Sequence, residues 1–141
     1  MQRKASAVWH GDLKSGKGAV STASGVLKET QYSFSTRFEN GIGTNPEELI
    51  AAAHAGCFAM AFSAELGKAG FTPETIHATA IVSLEKTEAG WTVTESDLEM
   101  TAKIPGLEPA RFTAIANAAK AGCPISRLLN AKVTLDAKLE A

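Results

Sequence analysis

The feature that most constrains this chain is a long, nearly uncharged helical stretch in its first half. Asn45, Pro46, Glu47 and Glu48 open it. Asparagine suits the N-cap, and proline suits the first helical position, where its missing N–H costs nothing. Glu48 falls three residues after the cap, where its side chain can reach back and close a capping box. Beyond it, up to Ala69, the charged residues are Glu65 and Lys68 alone, and Gly70 supplies a C-terminal stop. The long apolar run, residues 49–62, is 14 residues long and falls short of the roughly 20 that a membrane span needs. It therefore reads as a buried core helix. At helical rise the element is about 36 Å long, and a helix apolar on most faces must be wrapped on several sides. A chain of 141 residues is the size of one domain, with little surface to spare for that task, so a partner chain is expected.

The flanking segments read as strands and shorter helices. Residues 5–9, 18–22 and 32–38 form an N-terminal β-meander with turn signals at Gly16, Gly18, Ser24 and Gly25, and residues 39–44 make a glycine-rich loop. After the long helix, Ile76, Ala78, Ala80, Val82 and Leu84 alternate with polar positions. A turn at residues 88–90 leads into a long strand ending at Ile104. Its apolar phase changes from Trp91 and Val93 to Leu98, Met100 and Ala102, and a slip of one residue near Ser96 predicts a bulge. Pro109 opens a second helix with Phe112, Ile115, Ala116 and Ala119 on one face. Residues 124–129 make a short third helix, and Val133, Leu135, Ala137 and Leu139 mark a closing strand. With no repeats or linkers, the order specifies a single α+β domain over residues 1–141.

Composition removes several functions. Net charge is −1 with no basic stripe, which argues against nucleic-acid binding. The basic start, Met1 to Lys4, is followed by a mixed segment containing Ser6, His10 and Asp12 rather than an apolar signal core. The expected location is the cytoplasm, where thiols rest reduced.

The thiols carry the chemical argument. Cys57 lies within the apolar helix and Cys123 directly precedes Pro124. A buried free cysteine is often only a small hydrophobe, and core filler is the bland reading of Cys57. Cys123 is favoured by local electrostatics: as the N-cap of a helix starting at Pro124 it would face unpaired N–H groups and the positive end of the dipole, which lower a thiol pKa. Neither cysteine belongs to a Cys-x-x-Cys unit, which sets aside a thioredoxin-type motif and a four-cysteine zinc site. His54 lies one helical turn before Cys57 and reads as a satisfied core histidine, with a base or half a metal site as the sharper alternative. Glu47 and Glu48 sit in the first helical turn, where the dipole favours negative charge. Glu47 is ten residues from Cys57, about 15 Å along a helix, so action on that sulfur requires a second subunit or an intervening side chain. Arg37, at the end of the alternating strand, is a solvated edge charge or, beside a cysteine, a stabiliser of thiolate.

Taken together, Thr36 to Phe38, Gly43 to Leu49, the Ala52, Ala53, His54, Ala55, Gly56, Cys57, Phe58 motif and Gly122 to Ser126 resemble the OsmC/Ohr family of organic hydroperoxide reductases, the OsmC branch (osmotically inducible protein C) more closely. The likeness runs from about Ala7 to the end of the chain. It implies a thiol peroxidase built as an intertwined homodimer, with long central helices buried and active sites at the subunit interface. By that analogy Cys57 is the peroxidatic cysteine, against the local preference for Cys123, which becomes the resolving thiol. Arg37 and Glu47 match the family's charged pair. The resemblance implies an organic hydroperoxide substrate, a dithiol reductant such as a protein-bound lipoyl group, and no cofactor or metal. Phe58, Met60 and Phe62 are candidates to line an apolar substrate pocket, or else plain core. Two other readings stay open: a non-catalytic ligand-binding or structural dimer with inert buried cysteines, and a metal site using Cys57, His54 and Glu47.

Overall fold

A computed structural model describes all residues, Met1–Ala141. The chain forms two compact units, Met1–Leu49 and Ile50–Ala141.

The first unit is a three-stranded antiparallel meander, β1 (Ala5–His10), β2 (Lys17–Thr22) and β3 (Thr30–Tyr32), followed by a short helix, α1 (Phe34–Phe38). Gly18, on the central strand, pairs with both Trp9 and Tyr32. A Cβ at position 18 would clash with both the Trp9 and the Tyr32 rings, so glycine is what lets the two rings lean together, with centroids 5.6 Å apart. Residues 32–38 are thus not one strand. Ser33 and Thr36 form a reciprocal capping box, each accepting the other's backbone N–H, and this local signal overrides the period-two pattern. Arg37 consequently sits in the last turn of a helix rather than at a strand end.

The long helix, α2, spans Pro46–Lys68. The N–H of Glu48 donates to Asn45 Oδ1 at 2.8 Å, which is the expected cap. The Glu48 carboxylate accepts instead from Thr44 Oγ1 at 2.7 Å. Gly70 takes the expected left-handed conformation, φ 87°. Over its full length α2 is long and apolar enough to cross a membrane by composition, unlike the 14-residue run counted above. Its stripe His54, Phe58, Phe62 and Leu66 is however fully buried in the protein, which accounts for that apolarity by core packing. The expectation of a helix buried all round is not met in one chain: Met60 is 76% exposed on the opposite side.

The second unit carries β4 (Thr75–Thr87), β5 (Gly90–Lys103), α3 (Pro109–Gly122), α4 (Pro124–Leu128) and β6 (Lys132–Glu140). The strand order is β4-β5-β6. The expectation of further antiparallel strands holds for β4 and β5, whereas β6 joins parallel to β5. The bulge is real but lies two residues earlier than expected. Ser83 pairs with Glu95 and Leu84 with Val93, leaving Thr94 as the extra residue. From Ser96 onward every second residue of β5, through Leu98, Met100 and Ala102, points into the core. Phe58 and Phe62 of α2 and Phe112 and Ala116 of α3 complete it. The Phe62 and Phe112 rings meet edge to face at 5.7 Å, a geometry that adds about 0.5–1.5 kcal/mol to area burial.

Candidate active site

The four candidate residues fall into two pairs, one in each unit. Arg37 and Glu47 are brought together within residues 1–49. Arg37 Nε donates to both Glu47 carboxylate oxygens, at 3.2 and 3.1 Å, and its Nη2 donates to Oε1 at 2.7 Å. Glu47 is buried while the arginine side chain is 36% exposed. The carboxylate therefore fixes one edge of the guanidinium and leaves the other edge free to meet an anion, a fork arrangement with geometric as well as energetic value. Several backbone features place these two side chains opposite each other. Asn45 Nδ2 donates to the Thr36 carbonyl at 2.9 Å, tying the start of α2 to α1. The N–H of Thr44 donates to the Gln31 carbonyl. Gly43 between them has φ 144°, and a Cβ there would lie 2.6 Å from the Gln31 carbonyl oxygen.

Beside Arg37 lies an apolar cavity of about 280 Å³ lined by Trp9, Leu13, Tyr32, Phe34, Arg37 and Phe38. The sequence reading missed these aromatics, because Trp9 and Tyr32 meet only through the strand pairing across Gly18. The residues it nominated for a pocket are elsewhere: Phe58 and Phe62 are fully buried core, and Met60 is exposed.

Cys57 and Cys123 are brought together within residues 50–141. They lie 66 residues apart in the chain, with their sulfurs at 2.9 Å. Both are free thiols, Cys57 half-buried and Cys123 buried. Cys123 is the residue between α3 and α4, with Pro124 as the first residue of the short helix. That is the placement expected from the sequence.

The environments push the two thiols in opposite directions. Burial raises the Cys57 pKa, the hydrogen bond with Cys123 raises it further, and the N–H of Ile125 opposes them only in part. Burial also works against the Cys123 thiolate, but the hydrogen bond with Cys57 and the polar groups of Ser126 and Ile125 outweigh it. The pair shares its last proton, so its titration belongs to both sulfurs.

His54 is fully buried, with Nδ1 2.7 Å from Ser96 Oγ and Nε2 2.8 Å from Ser126 Oγ. Both ring nitrogens are taken by hydroxyls, so the metal reading loses His54 as a ligand beside Cys57.

Three comparisons bear on this geometry. The profile of the OsmC-like protein family matches residues 38–138. The chain is 52% identical to Peroxiredoxin OsmC of Escherichia coli over 141 residues, 100% of this chain and 99% of that protein. Among solved structures, an organic hydroperoxide resistance protein OsmC of Legionella pneumophila is similar with a TM-score of 0.68 at 27% identity, covering 98% of this chain and 97% of that one. An OsmC-like protein of unknown function from Vibrio cholerae shares the fold with a TM-score of 0.78 at 18% identity, covering 97% of this chain and 99% of that one.

Proposed function

We propose, on the premise that this chain belongs to the OsmC-like protein family, that it is a thiol peroxidase reducing organic hydroperoxides, and hydrogen peroxide less well, in a two-cysteine cycle. The observation that carries the reading is the thiol pair: sulfurs 2.9 Å apart, one of them half-buried and the other buried. A peroxide in solvent meets Cys57 first, and access is half of what makes a cysteine reactive. The Cys57 thiolate attacks the outer peroxide oxygen, the O–O bond breaks, and alcohol or water departs after taking up a proton. The resulting sulfenic acid lies against Cys123, which displaces hydroxide to form a disulfide. Bridging requires the sulfurs to close by less than an ångström, to about 2.05 Å. An external dithiol, such as a protein-bound lipoyl group, then reopens the bond.

Arg37 and Glu47 complete the assignment. The free edge of the Arg37 guanidinium stabilises the Cys57 thiolate and the departing alkoxide, and Glu47 holds the guanidinium in place. Burial and the hydrogen bond with Cys123 raise the Cys57 pKa, which is the effect such a cation would offset. The apolar cavity beside Arg37 suits the hydrocarbon part of an organic peroxide and supports that substrate class.

A homodimer supplies the missing cover for α2, whose exposed side carries Met60, and lets Arg37 and Glu47 of one chain serve the thiols of its partner. The family match crosses both compact units, which supports treating residues 1–141 as one OsmC-like domain.

The test is intact mass and peptide mapping of the reduced protein after one equivalent of an organic hydroperoxide. The expected product has lost two hydrogens, mapped to Cys57–Cys123 within one chain, and Cys57→Ser consumes no peroxide. Two unreacted thiols, or full turnover by Cys57→Ser, would overturn the assignment.

A further inference from the structure

The cycle leaves open which of the two bridged sulfurs an incoming dithiol strikes, and the two differ in how they can be reached. Cys123 is fully buried and belongs to the core cluster that includes Phe58, Phe62, Phe112 and Ala119. Cys57 is half-buried and packs at the margin of that cluster. Thiol–disulfide exchange is a displacement at sulfur, in which the attacking thiolate, the sulfur it strikes and the departing sulfur come into line. A thiolate striking Cys57 arrives from the side opposite Cys123, at the margin of the core. One striking Cys123 would have to arrive from the side opposite Cys57, through the core itself.

The chain around Cys123 is also fastened. Its N–H donates to the Ala119 carbonyl at 2.9 Å, and its carbonyl accepts from the N–H of Arg127 at 3.1 Å, so its backbone is paired on both sides. No residue of α4 is buried, and α4 is tied to the rest of the fold through Ser126, whose Oγ lies 2.8 Å from Nε2 of His54. The His54 ring is fully buried, and its Nδ1 lies 2.7 Å from Ser96 Oγ on β5. One imidazole on α2 thus fastens α4 to both α2 and β5. Undocking α4 would strand a buried ring nitrogen without a partner, which costs more than the hydrogen bond itself contributes. Bridging needs the sulfurs to close by less than an ångström from 2.9 Å, a movement too small to require that undocking.

We propose that the reductant attacks the sulfur of Cys57 with Cys123 as the leaving group, so that the transient mixed disulfide forms on the peroxidatic cysteine. The inference rests on the two-cysteine cycle proposed above. One thiolate of the dithiol bonds to the Cys57 sulfur as the Cys57–Cys123 bond breaks, and Cys123 departs as thiolate and takes up a proton. The second thiolate of the reductant then attacks the reductant's own sulfur in the mixed disulfide. That closes the reductant's internal disulfide and expels Cys57 as thiolate. The dithiol is oxidised by two electrons, the protein disulfide is reduced by two, and the two thiol protons of the dithiol end on the cysteines. Cys57 thereby meets both substrates in turn, and Cys123 stays within the core throughout. The environments of the two sulfurs agree with this direction. A leaving thiol of lower pKa departs faster; hydrogen bonding brings Cys123 down despite its burial, while burial takes Cys57 up.

The experiment traps the mixed disulfide with a monothiol, which cannot carry out the second displacement. Full-length protein is bridged with one equivalent of tert-butyl hydroperoxide and, in parallel, with diamide. Each sample is mixed with excess 2-mercaptoethanol and quenched in acid at intervals from milliseconds to seconds, and peptide mapping in acid locates the adduct. At the earliest times the adduct should sit on Cys57 with Cys123 free, at least about tenfold in excess of the reverse, because a buried sulfur reacts only through local opening. Ser126→Ala, which loosens α4 without altering either sulfur, should raise the share on Cys123, and Ser126→Thr, which keeps the hydroxyl, should return it to the wild-type value. Early adducts in comparable amounts on the two cysteines, or mainly on Cys123, would overturn the inference. The wild-type ratio in Ser126→Ala would overturn the part assigned to the His54 tie. Protein bridged by diamide but not by the hydroperoxide would overturn the peroxidase reading alone, since the diamide-bridged protein still decides which sulfur is attacked. Failure of both oxidants to bridge the cysteines would overturn both.

Discussion

If Arg37 activates the thiol of a partner chain, two inactive variants must rescue each other. On α2, Glu47 and Cys57 are ten residues apart, about 15 Å of rise, too far for Glu47 to touch that sulfur directly. A charge about 15 Å from a sulfur through solvent contributes about 0.3 kcal/mol before salt screening, or about 0.2 of a pKa unit. At about 4 Å and an effective dielectric of 20 the same charge contributes about 4 kcal/mol, close to 3 pKa units. Only the second is large enough to reverse the preference for thiolate at Cys123. Co-expression of an Arg37→Ala chain and a Cys57→Ser chain under different tags, followed by two-step purification, isolates the heterodimer. One of its sites then has Arg37 and Cys57 both intact and the other has neither, so it should consume hydroperoxide at about half the wild-type rate per dimer. Each parental homodimer should be nearly inactive. A heterodimer no more active than its parents refutes action across the interface, and failure to isolate any heterodimer refutes the dimer itself.

Two further outcomes follow from the structure. The His54 pKa lies below its ordinary 6.5 because of burial, so the unfolded chain binds the proton more readily and stability falls as pH drops below about 6.5, by at most about 1.4 kcal/mol per pH unit from this group. Urea midpoints between pH 7.5 and 5 should show that dependence in wild type and a shallower one in His54→Gln; equal slopes would refute it. Gly43→Ala places a Cβ 2.6 Å from the Gln31 carbonyl oxygen at a φ of 144°, a strain of about 1–3 kcal/mol. It should lower both the thermal midpoint and the peroxidase rate, because the segment it distorts positions Arg37 against Glu47, and wild-type values of both would refute the role assigned to that turn.

What the sequence revealed and what it hid divide along sequence separation. Asn45, Pro46 and Gly70 act on their own neighbours, and α2 was legible from them. Ser33 and Thr36 also act locally, yet the alternation across residues 32–38 masked their capping box, and α1 was read as strand. The bulge was placed two residues late because a change of apolar phase marks an interval, and only the pairing of Ser83 with Glu95 and Leu84 with Val93 picks out Thr94. The thiol cluster was beyond local reading altogether. Cys57 and Cys123 are 66 residues apart, and the serines on His54 lie 42 and 72 residues from it. Those distances close only when β5 and the junction of α3 and α4 pack against α2.

One local reading nevertheless survives in an informative way. The sequence favoured Cys123 over Cys57 for thiolate, from its place ahead of Pro124, and burial and hydrogen bonding move the Cys57 pKa up and the Cys123 pKa down. Family resemblance assigned attack to Cys57 instead. The two agree if the attacking thiol receives its charge stabilisation from outside its own cluster. Cys123, which needs its thiolate only after the sulfenic acid forms, carries its stabilising groups within the fold, whereas Cys57 depends on a guanidinium brought by assembly. A chain that has not dimerised would then hold its negative charge on the buried sulfur, away from peroxide. Alkylation of Cys57 at pH 7 should therefore be slower in protein diluted to monomer than in the dimer. Equal rates in the two states would place the source of its activation within a single chain.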